Sequence, residues 1–100
     1  MVALSIEEMH ENASAAENLL KSLANANRLM ILCHLVHTER SVSDLEQLVN
    51  LSQSALSQHL ARLKAQDIVS SRKEGTTAYY AIKSPHAVKV LELIYSLYCQ

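Results

Sequence analysis

Residues 51–66 carry Gln53, Ser54, Ser57, Gln58, His59, Arg62 and Lys64, and no acid. Amides, hydroxyls and an imidazole both donate and accept hydrogen bonds, and a guanidinium or ammonium can meet a phosphate. A merely solvated helix face usually mixes Glu with Lys. This combination suits the base edges and backbone of a DNA major groove. Leu56, Leu60 and Leu63 recur at i, i+4 and i+7, with Ala55 beside them. The stretch therefore reads as a helix with an apolar stripe on one side and a hydrogen-bonding face on the other. The plainer alternative is an ordinary polar face.

The neighbouring elements must position that face. Ser5 and Glu8 form a capping box ahead of a first helix over residues 6–23, whose seam is Ile6, Met9, Ala13, Ala16, Leu20 and Leu23. Small Ala13 and Ala16 on that seam suit close helix pairing. Asn25-Ala-Asn27 breaks the pattern, and an apolar second helix over 26–37 encloses Cys33. Ser41-Val42 reads as a short extended piece. Ser43 and Glu46 make a second capping box opening a short third helix, with Leu45, Leu48 and Val49 facing in. Asn50-Leu51-Ser52 forms a turn in which a left-handed Asn50 replaces the usual glycine, and Ser52 caps the polar-faced helix. Two short helices joined this way make a helix-turn-helix.

Asp67 ends the fourth helix. Residues 68–73 read as a strand, 74–76 as a turn and 77–82 as the returning strand. This basic hairpin is a wing, with Arg72 and Lys73 near its tip, where they could reach a phosphate or the minor groove. Ser84-Pro85 opens a last helix over 85–98 that is apolar nearly all round. One face is expected to pack on its own domain and the other, with the first helix, on a second copy. The expected fold is mainly α with a small β-hairpin wing, in the order α-α-β-α-α-β-β-α, dimerising through the first and last helices.

Size and composition agree. The 100 residues, 49% hydrophobic with one Gly and one Pro, imply one helix-rich domain spanning 1–100. Neither an 18-residue apolar run nor a signal-peptide pattern is visible, so a cytoplasmic protein with no membrane association is expected. The net charge of −1 conceals an asymmetry. Residues 1–50 carry −4, whereas residues 51–83 carry +3 through Arg62, Lys64, Arg72, Lys73 and Lys83 against Asp67 and Glu74. The positive charge falls on the polar helix and the wing. Ser57 and His59 do not share a helix face and no acid orients the histidine, so an enzyme is not expected. A winged-helix protein-interaction module is the competing class; failure to bind any duplex at low salt would favour it. Cys33 and Cys99 form no C-x-x-C motif, and on spacing alone they read as inert, Cys33 as packing and Cys99 as a terminal thiol.

This element order, with Leu51-Ser-Gln-Ser-Ala-Leu-Ser-Gln-His-Leu-Ala-Arg-Leu63 and Ala24-Asn-Ala-Asn-Arg-Leu-Met-Ile-Leu32, resembles the ArsR/SmtB family of winged-helix repressors over nearly the whole chain. The resemblance implies a homodimer on double-stranded, pseudo-palindromic operator DNA, released or altered by an inducer. It makes Ser54, Ser57, Gln58 and His59 the base-reading candidates. Gln53 and Arg62 become phosphate contacts beside the wing pair Arg72 and Lys73, and Arg72→Ala is expected to flatten the salt dependence.

The family's metal sites are not matched. Where thiolate-binding members carry Cys-x-Cys-Asp-Leu, this chain has Ser41-Val-Ser-Asp-Leu45. The last helix offers His86 and Glu92 without a second histidine, and His34 with His37 alone are no site. No metal and no cofactor are expected. Cys33 and Cys99 instead resemble the pair in the family's thiol- and persulfide-switch branch. There a reactive sulfur species or oxidant links the two. The closing Leu-Tyr-Cys-Gln equally resembles a virulence-activator branch known from vibrios, which leaves open inert cysteines and activation by displacing a silencer.

Overall fold

The structure, a computed structural model, describes residues 5–99. Residues 1–4, on which the leader reading rests, and residue 100 lie outside the described residues. Helices α1 (Ile6–Leu23) and α2 (Ala26–Leu35) lead to strand β1 (Arg40–Ser41). Helices α3 (Val42–Leu48) and α4 (Gln53–Ala65) follow, then the hairpin β2 (Val69–Glu74) and β3 (Thr77–Ile82), and last α5 (Pro85–Tyr98). The sheet is antiparallel in the order β1-β3-β2.

The α4 stripe anchors the core as its spacing predicts. Leu56, Leu60 and Leu63 are fully buried beside Ile31 and Leu32 of α2, Leu45 of α3 and Val69 of β2. Leu60→Ala should lower unfolding stability by about 3 kcal/mol, because removing a fully enclosed leucine loses its transfer energy and leaves a cavity. Urea titration followed by circular dichroism measures this, and a loss near zero would mean the site is not enclosed.

Local chemistry sets the boundaries, and several differ from the sequence reading. α2 stops at Leu35, not His37: Arg40 Nε donates to the His34 carbonyl at 2.7 Å, so a side chain takes up a carbonyl of the last turn while the backbone bends into β1. Helix α3 is capped by Ser41, not Ser43. The Ser41 hydroxyl accepts from the Asp44 amide at 3.0 Å, and the Asp44 carboxylate accepts from the Ser41 amide at 3.4 Å, a reciprocal box. Pairing of Ser41 with Tyr79 holds it extended, which places Val42 inside the helix and not in the strand. At α1 only half of the anticipated box is present: Ser5 Oγ accepts from the Glu8 amide.

Asn50 is not left-handed. The left-handed non-glycine residue among those described is Asp67, with φ 58°. The Asp67 amide donates to the Lys64 carbonyl and the Ile68 amide to that of Leu63, closing α4 in a Schellman turn sealed by buried Leu63 and Ile68. The wing turn is the two-residue Gly75-Thr76, and Glu74 belongs to the strand. Gly75 supplies the positive φ of 61° at the first central position. Arg28, the basic residue of the second-helix pattern, is buried. Its Nε and Nη2 donate to the carbonyls of Ser22 and Lys21 at 2.7 and 3.1 Å, closing the last turn of α1.

Candidate nucleic-acid interface

Ser52 fixes the start of α4, its hydroxyl accepting from the Ala55 amide at 3.1 Å. With the leucine stripe inward, Ser54, Gln58 and Arg62, four residues apart, form the central exposed row. Exposed Gln53, Ser57 and Lys64 flank it on one side, and half-buried His59 lies on the other. Five of the six candidate residues on α4 are thus exposed, and His59 lies at the edge of their surface. Burial, then the charges of Arg28 and Arg62, pull the His59 pKa down, so at neutral pH its imidazole is uncharged and offers one donor and one acceptor. Ala61, which the sequence reading passed over, is exposed and adjoins the central row.

The positive charge is partly committed. Lys64 Nζ donates to Ser71 Oγ at 2.7 Å, tying the helix to the wing, and Lys83 pairs with Asp67 at 3.1 Å. Arg72 is engaged by Glu39 and Glu74, acids that the sequence reading did not connect with it. Arg62 and Lys73 have no acidic partner among the described residues.

The two cysteines fall elsewhere. Cys33 is exposed and not packed in the core, and Cys99 is exposed; both are free thiols. Cys33 lines an open groove of about 600 Å³ between α2 and α5, shared with His37, Leu91, Glu92, Tyr95 and Ser96. Burial against this groove pushes the Cys33 pKa up, and the charge of Cys99 raises it further. Cys99 lies at the α5 terminus, its amide donating to the Tyr95 carbonyl at 2.8 Å, on the side that Glu92, Tyr95 and Ser96 turn toward the groove. Among the described residues no three His, Cys, Asp or Glu side chains cluster so as to hold a metal ion, and no helix is long and apolar enough to cross a membrane.

A capped helix pair, a hydrogen-bonding outer face on the second helix and a hairpin directly after it define a winged helix-turn-helix regulator. The model of the bacterial regulatory protein family arsR matches residues 25–71. The transcriptional activator HlyU of Vibrio cholerae is 45% identical over 97 residues, covering 97% of this chain and 90% of the relative. The chain belongs to the arsR family: it is a DNA-binding transcriptional regulator and not an enzyme. Among solved structures, the repressor BigR from Xylella fastidiosa superposes with a TM-score of 0.91 at 34% identity, covering 97% of this chain and 99% of that one. A homodimeric winged helix-turn-helix DNA-binding domain from Mycobacterium bovis gives 0.75 at 29% identity, covering 97% and 89%.

Proposed function

We propose that this regulator acts in the cytoplasm as a single domain over residues 1–100 and as a homodimer. Its two α4 helices enter successive major grooves of a pseudo-palindromic operator, and a thiol switch at Cys33 and Cys99 sets its affinity. Ser54, Ser57, Gln58 and His59 read bases. Gln53, Arg62 and Lys73 hold phosphates. The observation that carries the switch is that Cys33 is an exposed free thiol in the groove between α2 and α5, the helix that closes on the free thiol of Cys99; the charge of Cys99 helps to raise the Cys33 pKa.

The inducer is a reactive sulfur species or an oxidant. With a small hydropersulfide, the Cys33 thiolate takes the outer sulfur and releases the carrier thiolate. The Cys99 thiolate then attacks the inner sulfur of the Cys33 persulfide, forming the protein disulfide and expelling hydrosulfide. The two cysteine thiols are oxidised, and the sulfane sulfur is reduced. Leu93 and Leu97 lie on a different side of α5 from the thiol groove, and both are exposed. Tying Cys99 to α2 therefore tilts the helix that carries the dimer face, and with it the spacing of the two reading helices. Operator affinity of the reduced protein, before and after a persulfide donor, tests the switch, with intact mass reporting the link.

The reading face has its own test. Gln58→Ala should weaken operator binding about tenfold or more while leaving random-duplex binding nearly unchanged, since a base contact discriminates and a phosphate contact does not. Equal losses on both duplexes remove Gln58 from base reading. The Vibrio cholerae relative, named an activator, supports a second reading in which this chain activates or displaces a silencer and its cysteines are inert. Unchanged DNA binding after the Cys33–Cys99 link has formed would favour it.

A further inference from the structure

Arg72 stands on β2 directly across from Tyr79 of β3, and Tyr79 is also the partner of Ser41 in β1. The guanidinium carbon lies 4.7 Å from the Tyr79 ring centroid, so the side chain reaches over β3 toward the far edge of the sheet. There it meets Glu39. Nε donates to Oε2 at 2.8 Å and Nη2 to Oε1 at 2.7 Å, a bidentate fork, while Nη1 lies 3.2 Å from Glu74 Oε2.

The backbone about Glu39 is held by its neighbours. Thr38 Oγ1 donates to its carbonyl at 3.2 Å. The next residue, Arg40, holds the end of α2 through the His34 carbonyl and pairs with Tyr80. The wing arginine is thus tied to the short connector between α2 and β1.

The fork that grips a carboxylate is the same fork that a phosphate requires. Two carboxylates already surround this guanidinium, so that point of the wing is locally negative. Lys73, the next residue, is exposed and has no ion-pair partner among those described. We propose that Glu39 is a positioning residue for DNA binding: through Arg72 it sets the angle of the β2–β3 wing, Arg72 being a brace and Lys73 the phosphate contact. The proposal rests on the reading that the wing lies against DNA.

The test uses the full chain, a duplex that the protein selects from a random-sequence pool, and a scrambled duplex of the same composition. Affinities are measured across a salt series, and circular dichroism confirms that each variant is folded. Glu39→Gln and Arg72→Lys should each weaken binding to the selected duplex about fivefold, without changing the slope of log affinity against log salt, because lysine keeps the charge but cannot form the fork. The double variant Glu39→Gln/Arg72→Lys should weaken binding no further than either single change, because both remove the same fork. Lys73→Ala should lower the slope by about 0.9, the signature of one lost phosphate.

Wild-type affinity in Arg72→Lys, or tighter binding in Glu39→Gln, would overturn the brace and make Arg72 a phosphate ligand. Losses that add in the double variant would overturn it too. If Lys73→Ala lowers the slope while the Glu39 and Arg72 variants change nothing, the brace alone fails. If Lys73→Ala also has no effect, the wing does not touch DNA and both readings fall.

Discussion

A Leu93→Asp/Leu97→Asp variant is expected to be a folded monomer that binds its operator on the order of a hundredfold more weakly than the parent protein. A second reading helix delivered by the same molecule acts at high effective concentration, and dissociation removes that gain. The two leucines are the right targets because they are 57% and 65% exposed, so aspartate there disturbs little inside the subunit. Ile6, Met9 and Leu20 of α1 and Tyr95 and Tyr98 of α5 are also exposed, and exposed apolar side chains in number mark a surface fit for a partner. Both helices carry an outward apolar row that nothing in their own subunit covers. Sedimentation velocity at micromolar concentration reports the assembly state, and fluorescence anisotropy the affinity. A parent protein that sediments as a monomer, or a variant that remains a dimer, would show that these helices are not the interface.

Exposure of the reduced protein to a persulfide donor should join Cys33 to Cys99 within one chain and lower operator affinity at least tenfold; Cys33→Ser and Cys99→Ser should each abolish the response. The raised Cys33 pKa has a kinetic consequence. Less thiolate is present at neutral pH than on an ordinary cysteine, so the reaction should quicken as pH rises through and above the usual thiol range. The Cys99 charge is one cause of that rise, so Cys99→Ser should bring the Cys33 pKa partly back down and speed alkylation of Cys33 at a given pH. For the link to act on DNA it must favour one arrangement of the dimer over the other. A complete cross-link with unchanged operator affinity would leave the pair without a regulatory role, and its absence under a persulfide excess would end the switch altogether.

Elements were largely legible from local pattern. The 3.6-residue recurrence of Leu56, Leu60 and Leu63 and the Ser52 and Ser84 caps placed α4 and α5, and Gly75 placed the wing turn. Hydrophobic periodicity, capping and turn chemistry act within a few residues, so sequence spacing carries them directly. Even the errors were local competitions resolved at a distance. Ser41 displaced Ser43 as the cap because Tyr79 of β3 holds it extended, and α2 ended early because Arg40 reaches back to His34.

Pairings between distant residues are another matter. No spacing rule connects Cys33 with Cys99: spacing alone favoured reading them as inert, and only the family resemblance paired them. In the fold, Cys33 lines a groove that the last turn of α5 shares through Tyr95 and Ser96. Nor does any pattern connect Arg72 with Glu39. A basic residue near a wing tip reads as a phosphate contact in the chain; in the fold the β1-β3-β2 order carries its guanidinium across Tyr79 onto a carboxylate. Side-chain type and helical phase thus made the reading face visible in the chain itself. Which charges on and around that face are free, and which thiols are neighbours, depends on strand order and helix packing, because Coulomb forces and hydrogen bonds follow distance in space and not separation along the backbone.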